Sequence, residues 1–277
     1  MGTGRSRLPK GIYNMDPAKA DKLREKYIKA VHRKAEKTGF KLTSKADLYV
    51  DEWAGKYIEQ YIKELTNYQK AMGLSKETIQ DAGGPLDIRA LTGALGNSTA
   101  QGVVTLNASY IDDPERLNTT LQHEATHNMV AYLITKEMGY PKGSLLHNSE
   151  WTDGTIEKSI QENALIDYKQ FKAAELTRQI NEFSNLRPGE TRDRIISMLK
   201  NDLNNVESIT VRQAARESGM RSYALKQYSW TTTGTYVEIP TVAAENFVKV
   251  NYNWDALKKE HPYSYFVLRE LQRRLNN

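Results

Sequence analysis

The segment LQHEATHNM, residues 121–129, constrains this chain more than any other stretch. It places His123 and His127 four residues apart, with Glu124 directly after the first histidine. In a helix, residues four apart lie on one face, so both imidazoles can bind a single metal ion. The Glu124 carboxylate can then reach a water molecule activated by that metal and accept its proton. The segment therefore predicts a metal site that carries its own general base.

The flanking residues predict the helix that such a site requires. Asp113 followed by Pro114 is typical of a helix start, and Gly139 is typical of a helix end. After His127 the segment is apolar on nearly every side, which predicts a buried helix. Residues 102–111, GVVTLNASYI, are rich in β-branched and aromatic residues and predict a strand just before it.

Most of the remaining chain has helical patterning. Helices are predicted over 155–183 and 190–206, and from Pro240 and Pro262 onward. Residues 228–238 predict a strand or hairpin.

Composition limits the chemistry that is possible. The 277 residues include no Cys, which excludes disulfides, thiol catalysis and Cys-ligated zinc, so a metal must be held by His and carboxylates. No apolar run is long enough for a membrane span, and the N-terminus lacks the apolar core of a signal peptide. We therefore expect a protein that is cytoplasmic as folded, or that is secreted or delivered into a target cell without a conventional signal peptide.

Charge is unevenly distributed along the chain. Residues 1–38 carry eleven Lys and Arg against four Asp and Glu, and the remainder is slightly acidic. A basic helix of this kind can contact nucleic acid or an anionic membrane, but it is more often a solvated helix face. Residues 209–223, ITVRQAARESGMRSY, resemble a helix-turn-helix with its turn at Gly219. Nucleic acid is therefore not expected to be the main partner.

His-Glu-x-x-His is the metal-binding motif of zinc-dependent peptidases, which also need a third protein ligand and an open position for water. The spacing HExxHxxGxxH is excluded, because Val130 and Leu133 occupy its glycine and histidine positions. A glutamate from later in the chain is the alternative. Three compete for this role: Glu150 in an expected loop, Glu162 in an expected helix, and Glu245 in another.

Residues 243–272 resemble the C-terminal end of the anthrax lethal factor-like metallopeptidases. In that family a glutamate ligand lies in a helix that is followed by a loop, a proline and a short terminal helix. The positions that fit are Glu245, Phe247, Pro262 and Phe266, and those that depart are Asn246, Val248 and Lys249. The expected strand and the HExxH segment are also similar to metallopeptidase domains of bacterial polymorphic and contact-dependent toxins.

The resemblance implies a zinc-dependent endopeptidase of the effector or toxin type. One Zn²⁺ would be held by His123, His127 and Glu245, with Glu162 as the rival third ligand, and Glu124 would be the general base. The expected partners are a protein or peptide substrate and, for a toxin, a cognate immunity or inhibitor protein.

The family also has a tyrosine placed to hydrogen-bond the developing oxyanion. Tyr236 is the nearest candidate in this chain, with Tyr228 behind it.

The implied fold is α+β and zincin-like: mostly helical, with a small sheet whose edge strand precedes the HExxH helix and pairs with an extended substrate. The break at residues 83–85, Gly-Gly-Pro, divides the chain into an N-terminal helical region, 1–84, and a catalytic domain, 85–277. Residues 141–226 would form a helical insertion in that domain. The alternative function is that of a nucleic-acid-associated protein, or of a phage or mobile-element protein, with a regulatory zincin domain.

Overall fold

A computed structural model describes residues 16–38, 41–43, 52–82, 85–89, 91–98, 103–139, 154–227 and 233–277. Glu150, Tyr228 and the break at residues 83–84 lie outside these ranges. The described α-helices are α1 (Pro17–Thr38), α2 (Glu52–Ala71), α3 (Lys76–Ala82), α4 (Pro114–Glu137), α5 (Thr155–Ser184), α6 (Glu190–Asn204), α7 (Val211–Glu217), α8 (Ile239–Lys249), α9 (Trp254–Glu260) and α10 (Pro262–Asn276). The described strands are β1 (Lys41–Leu42), β2 (Pro85–Arg89), β3 (Gly96–Ser98) and β4 (Val104–Asn107). The predicted α+β class, mostly helical with a small sheet, is confirmed.

The small sheet has the strand order β1-β2-β4-β3, with β1, β2 and β4 parallel and β3 antiparallel to β4. The strand that directly precedes the HExxH helix, β4, is therefore internal, and the prediction that it forms the edge is wrong. All four β4 residues are buried, as a central strand requires. Among the described strands, β3 forms the edge of the sheet next to β4, and β1 forms the opposite edge.

The position of β3 depends on Asn107, the last residue of β4. Its buried amide donates hydrogen bonds to the carbonyls of Leu91 and Ala94, at 2.9 and 2.7 Å. The side-chain oxygen of Asn107 accepts a hydrogen bond from the Leu91 N–H at 3.3 Å. These bonds hold the loop that turns the chain back, so that β3 pairs alongside β4.

Helix α4 begins and ends as predicted. The Asp113 side chain accepts a hydrogen bond from the Arg116 N–H at 3.1 Å, Pro114 is the first helical residue, and Gly139 has φ of +70° after the last turn. Packed around α4 are α2, α8 and the strands β3 and β4. The Tyr68 hydroxyl of α2 lies 2.8 Å from the Thr126 hydroxyl of α4, in a buried contact.

The predicted helices over 155–183 and 190–206 are confirmed as α5 and α6. The first half of α5 contributes Ile160, Ala164 and Tyr168 to the core and packs against α10. The division at residue 84 stays a prediction. Side chains from both sides of that boundary share one core, and the Tyr68 and Phe247 rings have centroids 6.4 Å apart.

The segment expected to form a helix-turn-helix folds differently. Helix α7 has seven residues and Gly219 turns the chain with φ of +66°, but the following residues form only a 3₁₀ turn, Ser222–Leu225. This part of the chain therefore lacks the second α-helix that such a motif needs. Of the strand or hairpin expected over 228–238, residues 228–232 are outside the described ranges, and residues 233–238 are loop and turn.

None of the helices in the described ranges is both long enough and apolar enough to cross a membrane.

Candidate metal centre

The two histidines of α4 border a cleft of about 350 Å³. The His123 and His127 rings are 5.0 Å apart between centroids, as expected for residues one turn apart on one helix face. His123 is buried and His127 is half-buried. The spacing predicted from the sequence is therefore present.

The third group at this point is Glu238, the residue directly before α8. Its Oε2 atom lies 3.3 Å from His123 Nε2 and 3.4 Å from His127 Nε2. Potential ligand atoms of the three residues lie within 4.8 Å of one another, and the Glu238 side chain is buried. This cluster can hold a metal ion.

The spacing of these atoms can be compared with the spacing of ligand atoms around a zinc ion. Two ligand atoms that are each about 2.05 Å from a tetrahedral zinc are roughly 3.3 Å apart. The distances from Glu238 Oε2 to the two Nε2 atoms match this value. Two imidazoles and one carboxylate, with a fourth position open, are also a donor set found at catalytic zinc.

Glu245, the third ligand expected from the sequence, lies beside this cluster and not within it. Its Oε1 atom is 2.8 Å from His123 Nδ1, on the opposite side of the ring from Nε2. The guanidinium of Arg221 contacts the same carboxylate oxygen. A carboxylate in this position fixes the tautomer and orientation of a metal-binding imidazole. The structure thus gives Glu245 the geometry of a supporting residue and Glu238 that of a ligand.

The rival ligand Glu162 lies away from the cleft. It is on an exposed face of α5, where its carboxylate is 3.9 Å from the Lys158 ammonium.

The expected general base, Glu124, lines the cleft with the histidines and is 9% exposed. Burial raises its pKa, and the two neighbouring histidines partly offset this effect. Strand β3 passes close to it: a Cβ atom on Gly96 would lie 3.2 Å from Glu124 Cγ and 2.9 Å from the Thr105 carbonyl oxygen. Only glycine allows the edge strand to pack this closely against α4.

Tyr223, and not the expected Tyr236, lines the cleft. The Tyr223 ring lines the cleft, and its hydroxyl donates a hydrogen bond to Glu238 Oε1 at 3.0 Å. The guanidinium of Arg221 lies over this ring, 5.1 Å from its centroid. Tyr236 packs against the core instead, and its carbonyl accepts a hydrogen bond from Gln161 at 2.8 Å.

Sequence reasoning missed Glu238, Arg221 and Tyr223. The one local indication for Glu238 is that it directly precedes Ile239 and Pro240, where α8 begins. A side chain just before the first turn of a helix can contact a neighbouring helix. Arg221 and Tyr223 lie in a segment that the sequence suggested was a helix-turn-helix.

The charges within the cluster are strongly coupled. Burial, the largest single influence, lowers the pKa of His123, but hydrogen bonds to Glu238 and Glu245 outweigh it and raise that pKa to about 9. For Glu238, burial acts in the opposite direction and raises the pKa. Hydrogen bonds from His123 and His127 outweigh burial and hold the pKa of Glu238 far below its usual range. In the absence of a metal ion, these shifts favour a protonated His123 paired with an ionised Glu238.

Comparison with known proteins finds no match to this chain among protein-family models, curated proteins or solved structures.

The first prediction distinguishes Glu238, which directly precedes α8, from Glu245, which lies in α8, as the metal ligand. Glu238→Gln removes a charged ligand, whereas Glu245→Gln removes only support for His123, which typically costs about 10- to 100-fold in metal affinity. We expect zinc affinity, measured by competition with a chelating dye, to fall within that range for Glu245→Gln and well beyond it for Glu238→Gln. Glu162→Gln is the matched control and should bind zinc as the wild type does. A larger loss in Glu245→Gln than in Glu238→Gln would reverse the assignment.

The second prediction concerns pH. Because the folded pKa of His123 lies above the unfolded value of about 6.5, its contribution to stability is complete below pH 6.5 and is lost as pH rises through about 9. The chelator-treated protein should lose on the order of 3 kcal/mol of unfolding free energy between pH 5.5 and pH 9. The free energy of unfolding is measured by urea denaturation at a series of pH values. Zinc affinity should change in the opposite direction, because zinc displaces the proton: it should rise with pH up to about 9. A zinc affinity that is flat over this interval would contradict a site that includes His123.

Proposed function

We propose that this chain is a zinc-dependent endopeptidase. The observation that carries the proposal is that Glu238 Oε2 lies 3.3 and 3.4 Å from the Nε2 atoms of His123 and His127, which fits the distance between two ligand atoms of a tetrahedral zinc. Glu124, a buried carboxylate with a raised pKa, lines the same cleft. A metal centre and a general base within one cleft are the two elements that metal-assisted hydrolysis of a peptide bond requires.

His123, His127 and Glu238 would hold the ion, and Glu245 would orient the His123 ring through Nδ1. When bound, zinc supplies Lewis acidity, which lowers the pKa of a coordinated water and polarises the scissile carbonyl. Glu124 accepts the proton of the attacking water and later donates it to the leaving amine.

Tyr223 is the proposed oxyanion donor. Its hydroxyl bonds to Glu238 Oε1, which puts it beside the metal cluster, and its ring faces the cleft. A small rotation of this half-exposed side chain would turn the hydroxyl from the carboxylate to the carbonyl oxygen of a substrate. The guanidinium of Arg221 lies 5.1 Å from the centroid of the Tyr223 ring, and this cation–π contact stabilises the ring beside the cluster.

The proposed substrate is an extended peptide bound along β3. Gly96, Asn97 and Ser98 line the cleft and form an edge of the sheet among the described strands. An unpaired strand edge can add one more strand through main-chain hydrogen bonds. A peptide bound in this way would lie across the face of α4 that carries the histidines.

An effector or toxin role, with a cognate immunity protein as partner, is supported by the resemblance of the sequence alone. It stays a prediction.

The third prediction tests the proposed chemistry through Glu124→Gln. The amide has nearly the same shape as the carboxylate but cannot accept a proton. We expect kcat for peptide hydrolysis to fall about 10²- to 10⁴-fold, while the zinc content and the circular dichroism spectrum stay unchanged. A variant that hydrolyses peptides at the wild-type rate would exclude Glu124 as the base.

The fourth prediction compares two tyrosines by the same substitution. Tyr223→Phe should lower kcat by about 10²- to 10³-fold with little change in KM, because the lost hydrogen bond forms mainly in the transition state. Tyr236→Phe should leave both constants near the wild-type values, since its ring does not line the cleft. The reverse order of effects would restore Tyr236 to the role expected from the sequence.

A further inference from the structure

One acidic side chain in the cleft has no part in the proposed chemistry. Glu157 lies in the first turn of α5, is 6% exposed and lines the same cleft as the metal cluster. The N-terminus of a long helix favours negative charge, so this position suits an ionised carboxylate. Burial also strengthens the attraction between such a carboxylate and any cation that enters the cleft.

An apolar wall lies in the same cleft. Val130, Ala131 and Ile134 follow His127 by three, four and seven residues, so they continue the helix face on which that histidine lies. All three line the cleft. A substrate side chain that leaves the metal cluster along α4 therefore passes over hydrocarbon.

Carboxylates outnumber basic side chains in the described lining of the cleft. Its described lining includes the carboxylates of Glu124, Glu157 and Glu238, but no Lys or Arg. Glu238 faces the metal position and Glu124 faces the attacking water in the proposed mechanism. Glu157 therefore adds negative charge that the reaction itself does not use, and such a cleft attracts a cationic group.

We propose that Glu157 makes the cleft selective for peptides with a Lys or Arg side chain next to the cleaved bond. The aliphatic stem of the residue would lie along Val130, Ala131 and Ile134, and its charged end would pair with the Glu157 carboxylate. Long basic side chains combine these two characters, an apolar stem and a cationic tip. The proposal rests on the proposed peptidase function and specifies its substrate class.

The test starts with a proteome-derived peptide library, in which wild-type protein should cleave sites that share Lys or Arg at one position adjacent to the bond. Matched peptides are then made with Lys, norleucine or Glu at that position. We expect kcat/KM to be at least about tenfold higher for Lys than for norleucine, as for a buried charge pair. Glu157→Gln should bring this ratio close to one, and Glu157→Lys should shift the preference toward the Glu peptide.

A matched control and a binding assay complete the design. Glu162→Gln changes the same residue type on the same helix, away from the cleft, and should keep the wild-type ratio. Zinc-loaded Glu124→Gln, which should bind peptide without cleaving it, should bind the Lys peptide more tightly than the norleucine peptide by calorimetry. This preference should disappear when Glu157→Gln is added.

The outcomes separate the two proposals. Cleavage without a basic preference, or a preference that survives Glu157→Gln, would overturn the selectivity and leave the peptidase function standing. Absence of both zinc binding and cleavage would overturn the peptidase function and the selectivity with it. Equal binding of the Lys and norleucine peptides to Glu124→Gln would count against the selectivity even if cleavage were too slow to compare.

Discussion

The structure depends on the burial of polar side chains around α4. Besides Leu117, Leu121 and Met129, the helix buries Gln122, His123, Glu124, Thr126 and Asn128. Buried polar groups are stable only when neighbouring elements provide partners. Helix α2 provides the Tyr68 hydroxyl for Thr126, β3 provides Ser98 for Asn128, and α8 provides Glu245 for His123. The same requirement that stabilises the core therefore brings the edge strand and α8 against the histidines.

Features with local causes could be predicted from the sequence. The bounds of α4 follow from Asp113, Pro114 and Gly139, and the starts of α8 and α10 follow from their prolines. The edge of the sheet could not be predicted in this way. Strand β3 has the residues Gly-Asn-Ser, which have low strand propensity, and it forms because the loop bound by Asn107 returns the chain to β4.

The residues of the candidate site also divide into those that a local pattern predicts and those that depend on tertiary packing. The residues His123, Glu124 and His127 share one helical turn, so their spacing alone predicted their arrangement. The choice between Glu238 and Glu245 depends on how α8 lies across α4, which no local pattern encodes. Both carboxylates reach His123, one at each ring nitrogen, and only the tertiary packing determines which nitrogen each one meets. Tyr223 likewise reaches the cluster from a 3₁₀ turn that lacks periodic patterning.

The order of these residues along the chain also has a consequence for biosynthesis. A ribosome delivers the N-terminal parts of a protein first, so His123 and His127 emerge long before Glu238 and Glu245. Helix α8 also packs against α10, which is translated later still. A nascent or truncated chain that stops before Glu238 has two imidazoles but neither carboxylate, and it cannot assemble the three-ligand cluster. The cluster is thus completed only after Glu238 has been translated, well after both histidines have left the ribosome.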